Sequence, residues 1–383
     1  MHRTVLATAL ATAFLLPAIA LAQGAAAGEP EKTDGGLEFS GYLDVSYNRL
    51  SGNGLFVSGV PNRVFDVERN DLRTRQLALT LAKQPKEGLG GLLNVTLGKD
   101  ANVIAAYDTN PNNGTTTGKR DYWDVTQAFL QYAAGPWTVI GGKFVTSAGA
   151  EVINSTANPN YSRSILFGYA IPFTHTGFRA TYALGDTLTI TGGINNGWDD
   201  FKDTNDSKTG ELGFMYAANK TFMLNAMAHF GKERVGGLVG SGPEGQRNLI
   251  DVVGIINATD KLSFILNYDY ATQANASTVA PSGASKAKWR GLAGYANYQF
   301  NDQWRLSFRA EYFDDKDGYR TGLVQKWKEA TLTLAYLPPA IKNLELRAEV
   351  RGDRSNQAAF LDKDGATAKK SQSSFGLEAI YKF

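Results

Sequence analysis

Residues 372–383, QSSFGLEAIYKF, decide the fold of this protein. Every second residue from Phe375 to Phe383 is apolar, and the residues between them are small, polar or charged, with Ile380 the one exception. Alternation with a period of two is typical of a β-strand that has one apolar and one polar face. A full-length strand at the end of a chain would leave an unpaired edge, which soluble proteins avoid. We therefore expect the last strand to pair with the first and close a barrel.

Composition and charge limit the alternatives. The chain has 383 residues and no cysteine, which excludes a disulfide framework and a thiolate metal site. Its hydrophobic content of 43% is too low for a helical membrane protein. Its 39 basic and 37 acidic residues are balanced, which argues against binding to nucleic acid. These totals are compatible with a large barrel, which forms a single domain at this length.

The beginning of the chain predicts export. Arg3 precedes an apolar stretch, residues 5–21, and Ala20-Leu21-Ala22 is a small-residue cleavage site. A membrane-anchor helix is the alternative, but the stretch is short and has no basic flank after it. We expect a signal peptide at residues 1–22, a short periplasmic segment at residues 23–36 and a transmembrane β-barrel at residues 37–383.

The remaining sequence predicts sixteen strands, whose connections alternate between short turns and long loops. An even number of strands, with both chain ends on the side of the short turns, is typical of an outer-membrane barrel. We expect an all-β, transmembrane, antiparallel up-and-down β-barrel of about 16 strands, wide enough for a water-filled lumen. The strand predicted at residues 72–82 shows one irregularity. If its residues alternate strictly, Arg73 and Arg75 lie on the same outward face as Leu77 and Leu79. A β-bulge, or a position above the apolar band, would explain it.

Residues 304–312 show the alternation most clearly. Trp304 and Tyr312 end an apolar face that spans roughly 20 Å, close to the ~25 Å apolar band between the aromatic girdles of such barrels. The opposite face carries Arg305, Arg309 and Glu311. In a dry interior these charges would be costly unless paired, whereas in a water-filled pore they stay hydrated. The alternative is a soluble barrel with reversed faces, apolar inside and charged outside.

The connection at residues 145–174 is the longest and the best functional candidate. Loops of this length are usually functional or disordered, and this one is too apolar for a solvated coil. We expect it to fold into the lumen and narrow it; the alternative is packing on the outer rim or at a subunit contact. The predicted pore-lining and constriction residues are Lys143, Glu151, Arg163, Arg179, Arg305, Arg309, Glu311 and Arg347.

Motifs for enzymatic chemistry or metal binding are weak. Residues 240–245 match the dinucleotide-binding glycine pattern, but they lie in a loop without a following helix. His175 and His229 are far apart in sequence and form no metal-spaced pair. The loops at 315–318 and 362–365 lack the remaining ligands of a calcium-binding EF-hand. We predict no enzymatic activity, no cofactor and no resident metal ion, with His229 as a polar residue facing the lumen.

Four segments resemble the OmpL-like β-barrel porin family: residues 160–164 (NYSRS), 172–177 (PFTHTG), 142–144 (GKF) and 192–199 (GGINNGWD). The C-terminal phenylalanine is similar to that of other bacterial outer-membrane barrels. The resemblance covers nearly the whole mature chain. It implies an outer-membrane channel and leaves the solute open.

These features together predict a porin of the Gram-negative outer membrane. We expect passive diffusion of small hydrophilic solutes and ions, with a mild preference for anions because of the arginines. The alternatives are a structural or adhesive barrel with an occluded pore and an outer-membrane hydrolase that uses His229 with a nearby serine. The expected partners are outer-membrane lipid and lipopolysaccharide, and a homotrimer is implied by analogy with other 16-stranded porins.

Overall fold

The computed structural model describes residues 36–106, 122–217, 219–235 and 243–383. The predicted signal peptide and nearly all of the segment at 23–36 lie outside the described residues. The strands are β1 (Glu38–Leu50), β2 (Asn70–Lys83), β3 (Gly88–Leu97), β4 (Trp123–Ala134), β5 (Trp137–Val145), β6 (Thr174–Leu184), β7 (Leu188–Asn195), β8 (Thr209–Tyr216), β9 (Phe222–Arg234), β10 (Glu244–Asn257), β11 (Leu262–Ala274), β12 (Lys286–Gln299), β13 (Trp304–Asp315), β14 (Gln325–Tyr336), β15 (Leu344–Ser355), β16 (Phe360–Leu361), β17 (Ala368–Lys369) and β18 (Ser371–Lys382).

Sixteen of these strands form one closed antiparallel barrel, and β16 and β17 form a separate small hairpin in the loop before β18. Each barrel strand pairs with its neighbours in the sequence, and β18 pairs with both β15 and β1. Gly41 and Phe383 exchange two main-chain hydrogen bonds of 2.9 Å, so the final residue takes part in the closure. The predicted barrel, its strand number and its closure by the last strand are confirmed.

In the part of the chain that the structure describes, helical structure is confined to short pieces in the loops. These are α1 (Ala101–Ile104), a 3₁₀ turn (Ser155–Ala157) and α2 (Ile165–Tyr169). Within the described ranges, no helix is long and apolar enough to cross a membrane.

The outer face of the barrel is apolar and the inner face is polar. On β13, Phe308 is 44% exposed, whereas the neighbouring Arg309 is completely buried. On β18, Leu377 is exposed and Glu378 is buried. The alternative of a soluble barrel with reversed faces is therefore wrong. Ile380, the exception to the alternation, faces inward with Glu378 and packs in a small apolar cluster with Tyr42 and Ala78.

Aromatic pairs mark the end of the barrel that carries the short turns. Trp304 at the start of β13 stacks on Tyr336 at the end of β14, with ring centroids 4.5 Å apart. Trp137 at the start of β5 packs on Tyr182 near the end of β6, at 4.6 Å. Rings that are apolar with a polar edge suit the boundary between lipid and water, so these pairs form an aromatic girdle at this end.

A β-bulge on β2 resolves the irregularity in the sequence pattern. The pairing of β1 with β2 shifts by one residue, since Asp44 pairs with Gln76 but Val45 pairs with Thr74. The extra residue is Arg75, and it is buried next to the equally buried Gln76. The bulge turns Arg75 away from lipid, which agrees with the first of the two explanations, a β-bulge in this strand.

Candidate functional site

The loop at residues 146–173 is held by two glutamates of the inner wall. Glu349 on β15 accepts hydrogen bonds from the backbone amides of residues 161–162, at 2.8 and 3.1 Å. Glu311 on β13 accepts from the amides of residues 165–166, at 2.8 and 3.0 Å. The second pair of amides opens α2 and has no partner within the helix, so a carboxylate is a suitable acceptor.

Arg309 on β13 is the centre of an ion cluster beneath this loop. Its guanidinium lies 2.8 Å from Glu151 of the loop and 2.8 Å from Glu329 on β14. It also donates to the backbone carbonyl of Ser162 at 2.7 Å. Arg309 is completely buried, and so are the side chains of these two glutamates. A buried cluster of this kind is tolerated only because charge and hydrogen-bond partners are satisfied together.

Two arginines of β15 continue the same wall. Arg351 donates to the carbonyl of Arg163 at 2.7 Å. Arg347 donates to the carbonyl of Ser155 at 3.3 Å and pairs with Glu345 and Glu378 at 2.7 and 2.9 Å. The alternating charges of this strand thus contact the backbone of the loop.

The loop's own charges face inward as well. Arg163 donates to the carbonyl of Ile153 at 2.9 Å and lies over the ring of Phe65, 5.6 Å from its centroid. Glu151 accepts from the amide of Ser164 at 2.7 Å. Both charged side chains therefore bind backbone atoms of the loop itself and stabilise its conformation.

The remaining predicted residues are also paired. Lys143 lies 3.0 Å from Asp124, and Arg179 binds Glu211 through two bonds of 2.6 and 3.0 Å. Arg305 binds Glu345 at 2.6 Å, and its side chain is 18% exposed. The other seven predicted residues are each at most 6% exposed. The structure gathers Glu151, Arg163, Arg309, Glu311 and Arg347 around the loop, and a pore-lining role for the eight residues stays a prediction.

The two sides of the inner wall differ in exposure. Thr331 and Thr333 on β14 are buried beneath the loop. The inward-facing Thr181 on β6 and Thr189 and Thr191 on β7 are half-buried. The accessible part of the inner face therefore includes the uncharged hydroxyl groups on the side of β6 and β7.

Sequence reasoning missed the contacts of a second loop, at residues 51–69, with inward-facing residues and with α2. Its Phe56 packs on Trp327 with ring centroids 5.1 Å apart, and its Phe65 stacks on Phe167 of α2 at 5.8 Å. Its Arg63 binds Asp353 on β15 at 2.6 Å. The one available signal was the apolar content of this loop, which includes Leu55, Phe56 and Phe65 among its Gly, Asn and Asp residues.

The structure also brings two histidines together. His175 on β6 and His229 on β9 stack with ring centroids 4.9 Å apart and an angle of 12° between the planes. Glu211 on β8 joins them, with potential ligand atoms of all three within 4.8 Å of one another. The spacing of the two histidines in the sequence gave no sign of this pair, because barrel pairing places residues from separate strands side by side. The absence of a resident metal ion stays a prediction.

An antiparallel barrel of sixteen strands, apolar outside, charged inside and closed by its last strand, is a transmembrane barrel of the outer-membrane porin class. The chain belongs to the family described as beta-barrel porin-2, OmpL-like, whose profile matches residues 36–383. This membership confirms the family resemblance found in the sequence and supports a location in the outer membrane.

Three solved structures illustrate the shared fold. OmpT of Vibrio cholerae in a trimer form is 12% identical, with 92% of this chain and 100% of that chain covered and a TM-score of 0.57. An anion-selective porin from Comamonas acidovorans is 12% identical, with coverage of 91% and 99% and a TM-score of 0.57. OprB of Pseudomonas putida is 12% identical, with coverage of 91% and 94% and a TM-score of 0.58. No curated protein matches the chain.

Proposed function

We propose that the protein is a porin through which small hydrophilic solutes and ions diffuse passively. The observation that carries this proposal is the half-buried, hydroxyl-lined inner face of β6 and β7, opposite lipid-facing residues such as Phe178 and Ile190 on the same strands. Neutral hydroxyl groups can replace part of the hydration of a passing solute without binding it tightly. A solute at this face would therefore pass through the barrel without being bound tightly.

The loop at 146–173 is the proposed constriction. It lies between β5 and β6 in the sequence, yet its backbone binds Glu311 on β13 and Glu349 on β15. Contacts across so many strands support a course through the lumen. The loop would then fill the side of the lumen next to β13–β15 and leave the threonine-lined side to water.

Planar-bilayer recording of the purified protein tests this function. We expect stable ohmic current steps, and swelling of liposomes in small sugars, because the path is permanent and hydrated. Absence of both signals from protein that is folded by gel mobility would reject a porin.

An occluded structural barrel is the second candidate, and one observation favours it. Trp289, Trp327 and Phe313 are completely buried in a large apolar cluster with α2 and the loop at 51–69. Such a cluster excludes water from part of the lumen. Folded protein that gives neither current steps nor swelling would favour this candidate.

No observation favours a hydrolase. Among the described residues, neither ring nitrogen of His229 has a hydrogen-bond partner, so no serine is activated by it there. We propose that the protein acts without enzymatic chemistry.

We further propose a homotrimer in contact with outer-membrane lipid and lipopolysaccharide. The trimer form of the Vibrio cholerae barrel, which shares the fold, supports this assembly. Unheated gel electrophoresis should show a band near three times the monomer mass that collapses on boiling.

Arg305 is the predicted residue with the most exposed charge, and Arg305→Gln should weaken any anion preference. A unit charge about 10 Å from an ion changes its energy by roughly 0.4 kcal/mol in bulk water, so the permeability ratio should fall by up to about fourfold before screening by salt. The reversal potential in a KCl gradient measures this ratio. Arg290→Gln, which removes a charge from the outward face of β12, is the matched control. Equal reversal potentials for wild type and Arg305→Gln would remove Arg305 from the ion path.

A further inference from the structure

We propose that His175, Glu211 and His229 form a binding site for a late first-row divalent metal ion such as Zn²⁺ on the inner wall of the barrel. The three residues come from β6, β8 and β9, and Glu211 lies directly opposite His229 in the pairing of β8 with β9. Their potential ligand atoms lie within 4.8 Å of one another, and all three residues are buried. Two imidazoles and one carboxylate are a ligand set that holds Zn²⁺ with a free coordination position.

His175 already has the arrangement of a metal ligand. Its Nδ1 lies 3.1 Å from the backbone carbonyl of Gly197. A carbonyl only accepts hydrogen bonds, so Nδ1 carries the proton and Nε2 keeps its lone pair. A histidine that binds a metal usually donates its other N–H to a carbonyl or carboxylate in this way, which fixes the tautomer and the ring. The weaker contact of Nε2 with the Thr146 hydroxyl, at 3.4 Å, is easily displaced.

His229 supplies the second, independent observation. It is 1% exposed, yet neither ring nitrogen has a hydrogen-bond partner in the described part of the chain. Buried polar atoms are rarely left without a partner, and each such group in a native protein needs an explanation. A bound metal ion would provide the missing partner for one of these nitrogens.

Metal binding requires a small movement, and His229 is free to make it. An ion lies in the plane of each imidazole that binds it, so two nearly parallel stacked rings cannot share one ion until one of them turns. Among the residues that the structure describes, none forms a hydrogen bond that holds the His229 ring in its present orientation. In tetrahedral coordination with each ligand atom about 2.1 Å from Zn²⁺, two ligand atoms lie about 3.4 Å apart. The potential ligand atoms, which lie within 4.8 Å of one another, must therefore approach by up to about 1.4 Å.

Glu211 shares its charge between the site and Arg179. Both of its oxygens accept from Arg179, but each oxygen has a second lone pair available for a metal. Gly193 on the adjacent strand makes room, since a Cβ there would lie 2.5 Å from a Glu211 oxygen. Arg179 neutralises the carboxylate, so the imidazoles dominate the selectivity. This composition favours Zn²⁺, Ni²⁺ or Cu²⁺ over Mg²⁺ or Ca²⁺.

Equilibrium dialysis of the detergent-purified barrel against ZnCl₂, with excess MgCl₂ present, tests the proposal. The protein must carry no polyhistidine tag, because a tag would itself bind Zn²⁺. Apart from His175 and His229, the sequence contains only His2, so other histidines contribute little background. We expect one Zn²⁺ per chain. His175→Gln and His229→Gln should each weaken binding by at least about tenfold, and the double variant should bind none at this site. Bound Co²⁺ should show a visible absorption spectrum that the double variant lacks.

Asp251→Asn is the matched control. It changes another completely buried, inward-facing acid, on the neighbouring strand β10, and should leave Zn²⁺ binding unchanged. The fold of every variant is checked by its mobility on an unheated gel. Folded wild type that takes up no Zn²⁺, or uptake that persists in the double histidine variant, would overturn the site. The measurement does not depend on conduction, so it separates this proposal from the proposed porin function.

Discussion

The double variant Glu311→Gln/Glu349→Gln is expected to raise single-channel conductance several-fold and to make the open current noisy. The two carboxylates accept four backbone N–H groups of the loop at 146–173. A hydrogen bond to a charged group contributes about 1.5–3 kcal/mol. Glutamine keeps the size of each side chain but removes the charge and presents an N–H₂ group that cannot accept. Loss of several such bonds should release the loop from the wall and widen the path.

Glu345→Gln is the control for this experiment. Glu345 lies on the same inward face of β15 as Glu349, but it pairs with Arg305 and Arg347 rather than with an amide of the loop. Its conductance should stay close to that of wild type. If the double variant conducts like Glu345→Gln while remaining folded, the loop does not limit the current.

Arg309→Met is expected to be the most destabilising single substitution in the barrel wall. Arg309 contacts Glu151, Glu311 and Glu329 at 2.8, 3.4 and 2.8 Å, and its removal leaves three carboxylates close together in a buried cluster. Breaking one buried ion pair typically costs about 3–5 kcal/mol, and here Arg309 pairs with three anions, of which Glu329 also has Arg351 at 3.4 Å. We expect a large fall in the urea midpoint of refolding into lipid vesicles, or failure to fold.

Two further variants make this prediction specific. Arg305→Met removes an inward arginine that is partly exposed and whose partner Glu345 keeps Arg347, so its midpoint should change little. Without Arg309, Glu329 keeps Arg351 at 3.4 Å but still lies close to the other two carboxylates. Adding Glu329→Gln to Arg309→Met removes this repulsion and should restore part of the lost stability. If Arg305→Met and Arg309→Met have equal midpoints, or if Glu329→Gln worsens the defect, the charge cluster is not what stabilises this wall.

The extent of the strands could be predicted because the signal is local. On β13, the apolar and charged residues from Trp304 to Tyr312 alternate in the sequence, and the structure places the two sets on opposite faces. At Arg75 strict alternation placed a charged side chain on the lipid-facing side, and a β-bulge turns this side chain inward. Each of these conclusions needs only neighbouring residues, since lipid on one side and polar groups on the other impose the period of two.

The partners of the inward residues could not be predicted in this way. The sequence identified Arg309 as an inward charge, but its burial depends on Glu151 and Ser162 of a loop that arrives from β5. In the same way, His175 and His229 looked unrelated along the chain and became neighbours. Such contacts depend on strand register, barrel closure and the course of a loop, none of which a periodic pattern contains.

The sequence by itself therefore determined the barrel, its strand number and its apolar exterior, because alternation and turn spacing are properties of contiguous residues. Only the tertiary structure decided which inward charges neutralise one another, which wall the loop occupies and where the two histidines meet. Those outcomes arise from side chains on different strands, and their energies depend on distances that exist only once the sheet has closed.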